Sequence, residues 1–281
     1  MRKATPHLFR DEHQKNIVRS FDRLCYKQSR WTIWSDFVML SAISISNAVD
    51  KANADHREEM YRNAEAKYDA QEREEFSKML AETIMGIDEN PDQDFLGELF
   101  MRLELSNDHN GQFFTPYNVC RMMAEMCGDV QDRIERDGWA SINDPCCGAG
   151  ALLLAFANAC RRKEINYQQS VLFVAQDIDF IVGCMCYIQL SLLGCPGYVV
   201  IGDTIRHPST TYDRRGLLPR QMENAWFTPM YFTDNWHWRR VWAQMDMLVL
   251  SGSAKIPEVA AVPEQPETEY RVTKKGQLAF F

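Results

Sequence analysis

A doubly wound α/β sheet is the fold this sequence predicts, and three segments predict it. The first is a strand, a glycine turn and a helix: the apolar-leaning Trp139–Ile142, then Asp144-Pro-Cys-Cys-Gly-Ala-Gly150, then the strongly helical Ala151–Cys160. The second is Val171-Leu-Phe-Val-Ala175, a continuous apolar run of the kind carried by a strand buried on both faces. The third is a helical stretch, Phe180 to Leu193, leading into Tyr198-Val-Val-Ile-Gly-Asp-Thr204. Strands alternating with helices in this way build a parallel sheet.

The glycine turn carries the first chemical information. Glycines let the backbone approach a ligand closely, and the exposed amides of a helix N-terminus favour polar or anionic groups. A loop of this kind by itself occurs with nucleotides, or with nothing bound. About thirty residues upstream, however, stands Gly111-Gln-Phe-Phe-Thr-Pro116. In this order the two segments resemble the adenine-N6 DNA methyltransferases, in particular the modification subunits of type I restriction systems. Those open with Gly-x-Phe-[Phe/Tyr]-Thr-Pro and continue into Asp-Pro-x-Cys-Gly-[Ser/Ala]-Gly. The similarity begins near Asp94-Phe-Leu-Gly-Glu-Leu-Phe100 and runs to about Leu250, roughly 155 of the 281 residues.

The resemblance implies a Rossmann-like sheet that binds S-adenosylmethionine (SAM). Phe113, Phe114, Thr115 and Pro116 would cover the methionine end of SAM, and Asp144, Pro145, Gly148 and Gly150 would form the glycine loop. Asp177 sits where the family places a carboxylate on the ribose hydroxyls, since a carboxylate accepts two hydrogen bonds from a cis-diol. Asp203 falls at the position near the adenine amino group. The implied activity is methyl transfer to adenine N6 in DNA, by a protein of bacterial or mobile-element origin.

One departure bears on catalysis. The family carries [Asn/Asp]-Pro-Pro-[Phe/Tyr/Trp] after its fourth strand, where it accepts hydrogen bonds from the target amine and stacks on the flipped base. No such run exists here; Asn90-Pro91-Asp92 precedes the SAM segment and lacks the second proline and the aromatic. The expected fourth strand is Met245-Asp-Met-Leu-Val-Leu250, and Ser251-Gly-Ser-Ala254 follows it, which puts Ser251 and Ser253 at the position of the missing motif. Either the protein is a non-catalytic relative, a binding subunit beside an active methylase, a specificity subunit or the replication machinery, or another segment substitutes. The candidate substitute is Trp226–Phe232 with Trp236–Trp242, holding four of the seven tryptophans. Trp236, Trp238, Arg239 and Arg240 there suit stacking on unpaired bases and phosphate contact, or else pack a core.

Composition narrows the setting. Nine cysteines, without a Cys-x-x-Cys, form neither a disulfide framework nor a metal site, so a reducing cytoplasm is the simpler account and no metal is expected. Trp31–Val49 is the most apolar long window, but Asp36, four serines and Asn47 make it a buried helix rather than a membrane span. A net charge of −8 argues against coating DNA, so DNA contact would use one face or a partner. The basic clusters Arg161–Lys163 and Arg214, Arg215 and Arg220 read as solvated surface.

Three regions follow. Residues 1–92 read as a helical domain: His13–Ser29, Trp31–Val49 and one long charged helix from Arg57 to Met85, ending before Pro91. Residues 93–251 form the SAM domain. Residues 252–281 form a Pro/Glu-rich tail expected to be disordered, ending Gly276-Gln-Leu-Ala-Phe-Phe281. That end is similar to the bacterial sliding-clamp-binding pentapeptide, with Gln277, Leu278 and Phe281 matching and Phe280 replacing leucine. The alternative is a terminal strand folding back.

Overall fold

The structure is a computed structural model describing residues 11–105, 114–127, 130–220, 222–253, 270–272 and 278–280; for 248–253 and the last two segments the backbone alone is described. The chain forms two compact units, Met1–Arg240 and Val241–Phe281. The boundary expected at residue 92 falls inside the first.

The first unit begins with helices. In α1 (Glu12–Leu24) the Asp11 carboxylate accepts from the Gln14 amide, and Ile17, Val18, Phe21 and Leu24 recur at helical spacing and are buried. Helix α2 (Arg30–Val49) is capped by Ser29 and is apolar nearly all round. Length and composition would let it cross a membrane, yet just over half of its apolar window is buried within the protein. Trp34 explains part of that burial. It is fully enclosed against Phe21, Phe37 and Phe100, and a ring so placed contributes about 1.5–3 kcal/mol.

The long charged helix is two helices, α3 (Ala54–Glu65) and α4 (Ala70–Glu89). The break has two causes. Tyr68 turns inward, its hydroxyl donating 2.6 Å to the buried Asp36, and Asp69 with Glu72 forms a reciprocal capping box that starts α4. Helices α5 (Phe95–Arg102), α6 (Tyr117–Met126) and α7 (Val130–Asp137) then lead into the sheet.

Three parallel strands, β1 (Ala140–Asp144), β2 (Val171–Asp177) and β3 (Gly197–Ile201), lie side by side in chain order. They are joined through α8 (Ala151–Arg162) with α9 (Tyr167–Ser170), and through α10 (Phe180–Leu192). Helices α8 and α10 touch and share one face of the sheet. The loop between β3 and β4 covers the other: a Cβ on Gly216 would meet Val174, and Tyr198 donates to the Gly216 carbonyl at 2.7 Å. The α/β class is therefore present, with helices packed on one face.

Beyond β3 the path departs from the expected one. Strand β4 (Ala225–Phe227) adds antiparallel to the outer edge of β3, and β1 remains at the opposite edge. Met245–Leu250 is not a strand: it lies in α11 (Asp234–Ser253). No Gly or Pro occurs between Tyr231 and Ser251, so nothing in the sequence stops that helix before Gly252.

In the second unit, β5 (Tyr270–Val272) pairs antiparallel with β6 (Leu278–Phe280). The terminal peptide thus has a ladder partner. Gln277, Phe281 and residues 254–269 lie outside the described residues.

Candidate cofactor site

The site assembles where the parallel strands end. Asp144, last in β1, starts the loop by accepting the Cys146 amide at 3.2 Å. Gly148 and Gly150 then take left-handed backbone angles, φ +55° and +95°. At Gly150 a side chain would be strained twice, by that backbone angle and by a Cβ 2.8 Å from the Cys186 Sγ. Helix α8 begins directly after it without a side-chain cap, leaving its first amides at the loop.

Backbone bonds fasten this loop to the neighbouring strand ends. The Cys147 amide donates to the Gln176 carbonyl at 3.0 Å, and the Gly148 amide donates to the Asp177 carboxylate at 2.9 Å. Asp177 also accepts the Asp179 amide at 3.0 Å, and a carboxylate with two such bonds keeps further lone pairs for a diol. Thr204, just beyond β3, donates its hydroxyl to the Pro145 carbonyl. Asp203 accepts the Ile205 and Arg206 amides at 2.9 and 3.2 Å and stands 3.6 Å from the Arg206 guanidinium.

The upstream segment comes to the same place. Phe114 stacks on Phe100 with centroids 5.4 Å apart, and Thr115 and Pro116 lead into α6. Phe113 lies outside the described residues. Phe114, Thr115, Asp144 and Gly148 line a cleft of about 210 Å³ together with Asp94, Cys146 and Cys147. A second cleft of about 430 Å³ adjoins it, sharing Asp94, Phe114 and Thr115 and including Pro116.

Three contributors escaped the reading of the sequence. Asp94 caps α5 through the Gly97 amide and is buried. Gln189, a buried amide in the apolar helix α10, donates to Asp94 at 2.8 Å and to the Ala149 carbonyl at 2.9 Å, while accepting the Leu96 amide at 3.0 Å. It ties α5 to the glycine loop. The capping position was a legible signal for Asp94; for Gln189 the only hint is an amide among apolar neighbours. The third is Cys147, whose thiol is pushed well above its ordinary value, first by its hydrogen bond with Cys186 and then by burial, and so is no thiolate nucleophile.

Electrostatics define what fits. Burial pushes the Asp94 carboxyl up, against the downward pull of its bonds from Gln189 and Gly97. The Asp144 carboxyl is also raised, by burial first and by the charge of Asp177 in addition. Neither is ion-paired among the described residues. A ligand bearing positive charge would relieve both.

The remaining candidates lie elsewhere. Because β4 runs antiparallel, Thr228-Pro-Met-Tyr231 emerges at the amino end of the parallel strands. There Thr228 donates to the Cys195 carbonyl at 2.7 Å, and the buried Tyr231 donates to the Leu217 carbonyl at 2.6 Å. Trp236 is fully buried, its indole donating to the Gln168 carbonyl at 2.9 Å, so it cannot stack on a base. Arg239 bonds the Gln169 and Gly138 carbonyls and lies over Trp236, and Arg240 is spent on the Tyr231 ring and carbonyl. Trp238 is exposed. Ser251 and Ser253 stand in the last turn of α11 rather than after a strand. Among the described residues no group of His, Cys, Asp and Glu could hold a metal ion.

A comparison with curated proteins returns no match. A comparison with family models matches residues 93–245, more than half of the chain, to the N-6 DNA methylase model. The match spans the glycine loop, the strand ends fastened to it and the helix that Asp94 caps: the chain belongs to the N-6 DNA methylase family.

Proposed function

We propose that the cleft at the carboxyl ends of β1, β2 and β3 binds SAM, and that the protein acts on or around DNA with weak or lost methyl transfer of its own. One observation carries the binding: a glycine loop bonded to two strand ends faces two carboxyls, Asp94 and Asp144, that burial raises and that no cation pairs with among the described residues. SAM brings a sulfonium and an amine to such a site, and its methyl is electrophilic enough to pass to an amine without a metal. Asp177 would accept the ribose hydroxyls, Asp203 would stand near the adenine, and Phe114 would cover the methionine end.

The loss of transfer rests on the amine-holding group. No Asn-Pro-Pro-aromatic run occurs, Ser251 and Ser253 are helical, and Thr228 and Tyr231 are buried at the far end of the sheet. This favours a second reading, a non-catalytic subunit of bacterial or mobile-element origin beside an active methylase. Calorimetric titration with SAM tests the first reading, and absence of heat at millimolar SAM refutes it. A tritiated methyl-transfer assay on mixed DNA separates the two, because robust labelling of adenine by the purified chain refutes the loss.

A further inference from the structure

Strand β1 carries the glycine loop and yet forms an edge. Loop-bearing strands of doubly wound sheets ordinarily lie in the middle, and parallel strands are ordinarily covered on every side. Here β2 and β3 are buried almost throughout, while Ser141 and Ile142 of β1 are half-buried and Asn143 is exposed. Among the described residues no strand pairs with the outer side of β1.

That side is not bland. Ala140 and Ser141 line a groove of about 460 Å³ together with Arg133 and Arg136 of α7 and with Arg214 and Arg215 of the loop between β3 and β4. One carboxylate, Asp137, lines it too and is bound by Arg136 at 2.8 Å. Arg133, Arg214 and Arg215 make no ion pair among the described residues. In a protein of net charge −8, this concentration of guanidinium runs against the whole.

We propose that the outer edge of β1 receives a strand from a partner protein, an extended segment rich in Glu and Asp whose backbone continues the ladder and whose carboxylates pair with Arg133, Arg136, Arg214 and Arg215. An open ladder edge offers amides and carbonyls in register, which only a polypeptide uses fully. Nucleic acid matches the charge but not the ladder. Trp139, the one ring lining the groove among the described residues, is 9% exposed and already lies near the Arg215 and Arg239 guanidiniums, so no base stacks there. A second copy of this chain would set the same arginines against each other.

The test uses the full chain and a fluorescein-labelled peptide of alternating Glu and Val, read by fluorescence polarisation. Saturable binding is expected at about 10–100 μM, the range of weak strand addition. Methylating alternate backbone nitrogens of the peptide should weaken it at least about tenfold, as should Arg214→Glu with Arg215→Glu; both arginines are exposed, so circular dichroism should be unchanged. A Lys/Val peptide should not bind, and exchange of the amides of residues 140–143 should slow on binding. Equal binding of the methylated peptide would reduce the groove to plain charge attraction and overturn strand addition. Displacement of the peptide by a short DNA oligonucleotide of higher affinity would assign the groove to nucleic acid, and no saturation below a millimolar would also end the proposal.

Discussion

Gln189→Leu is the substitution that best tests how the site is held together. Leucine replaces the amide with little change of volume, so cavity formation contributes little. What is lost is three buried hydrogen bonds, to Asp94 at 2.8 Å, to the Ala149 carbonyl at 2.9 Å and from the Leu96 amide at 3.0 Å. An orphaned buried group costs about 1–3 kcal/mol, and Asp94 keeps its bond from Gly97, so relaxation brings the expected total to about 3–5 kcal/mol. Urea unfolding at neutral pH, followed by circular dichroism and tryptophan fluorescence, measures it. Because Ala149 sits inside the glycine loop, the folded variant should also bind SAM at least about tenfold more weakly, or about 1.4 kcal/mol. A stability loss below about 1 kcal/mol with unchanged SAM affinity would refute the idea that this amide joins α5 to the loop.

Four further outcomes are expected. Asp177→Ala should weaken SAM binding by about 1–3 kcal/mol in calorimetry, since the ribose hydroxyls lose a charged acceptor. Asp94→Asn keeps the bonding oxygen but cannot titrate. The native Asp94 carboxyl is raised, so stability linked to its protonation is complete below the ordinary value of 3.8 and lost as pH rises through the native value. Wild-type urea midpoints, relative to Asp94→Asn, should therefore fall with rising pH across that window and level off above it; parallel curves would contradict the burial argument. Gly150→Ala should cost about 1–2 kcal/mol for its φ and about 1–3 more for overlap with Cys186, and adding Cys186→Ala should restore the second part only. The last ten residues, labelled and titrated against a bacterial sliding clamp, should bind at micromolar concentration, and no saturation below about a millimolar would leave the β5–β6 ladder as the role of that peptide.

The parallel strands and their loops were legible because each rests on a local pattern. Val171–Ala175 can hardly be anything but a buried strand, and two glycines before an alanine-rich helix leave few alternatives. The capping box at Asp69 and Glu72 went unread: it marks the break between α3 and α4, which helical periodicity alone runs through as one helix. Met245–Leu250 misleads because a short apolar run fits strand or buried helix equally, and what decides is the absence of any stop signal behind it. Gln189 was illegible for a different reason. Its partners stand 93, 95 and 40 positions away, and no single-chain pattern reports a contact at that distance.

The aromatic stretch after β4 shows where composition stops being informative. Tryptophans beside arginines describe a base-stacking surface and a packed core equally well, and strand direction decides between them. Had β4 run parallel, the residues after it would stand at the carboxyl ends beside Asp144 and Gly148. Running antiparallel, with Val200 opposite Ala225 and Tyr198 opposite Phe227, it delivers Thr228 and Tyr231 to the other end of the sheet. The distance is close to a strand length, about 15–20 Å, well beyond any side chain's reach. Trp236 and Arg239 follow them there and close the amino end over Trp139. The direction of one three-residue strand thus keeps the aromatic stretch away from the glycine loop. For that reason, binding of SAM and transfer of its methyl have to be measured as two independent properties of this chain.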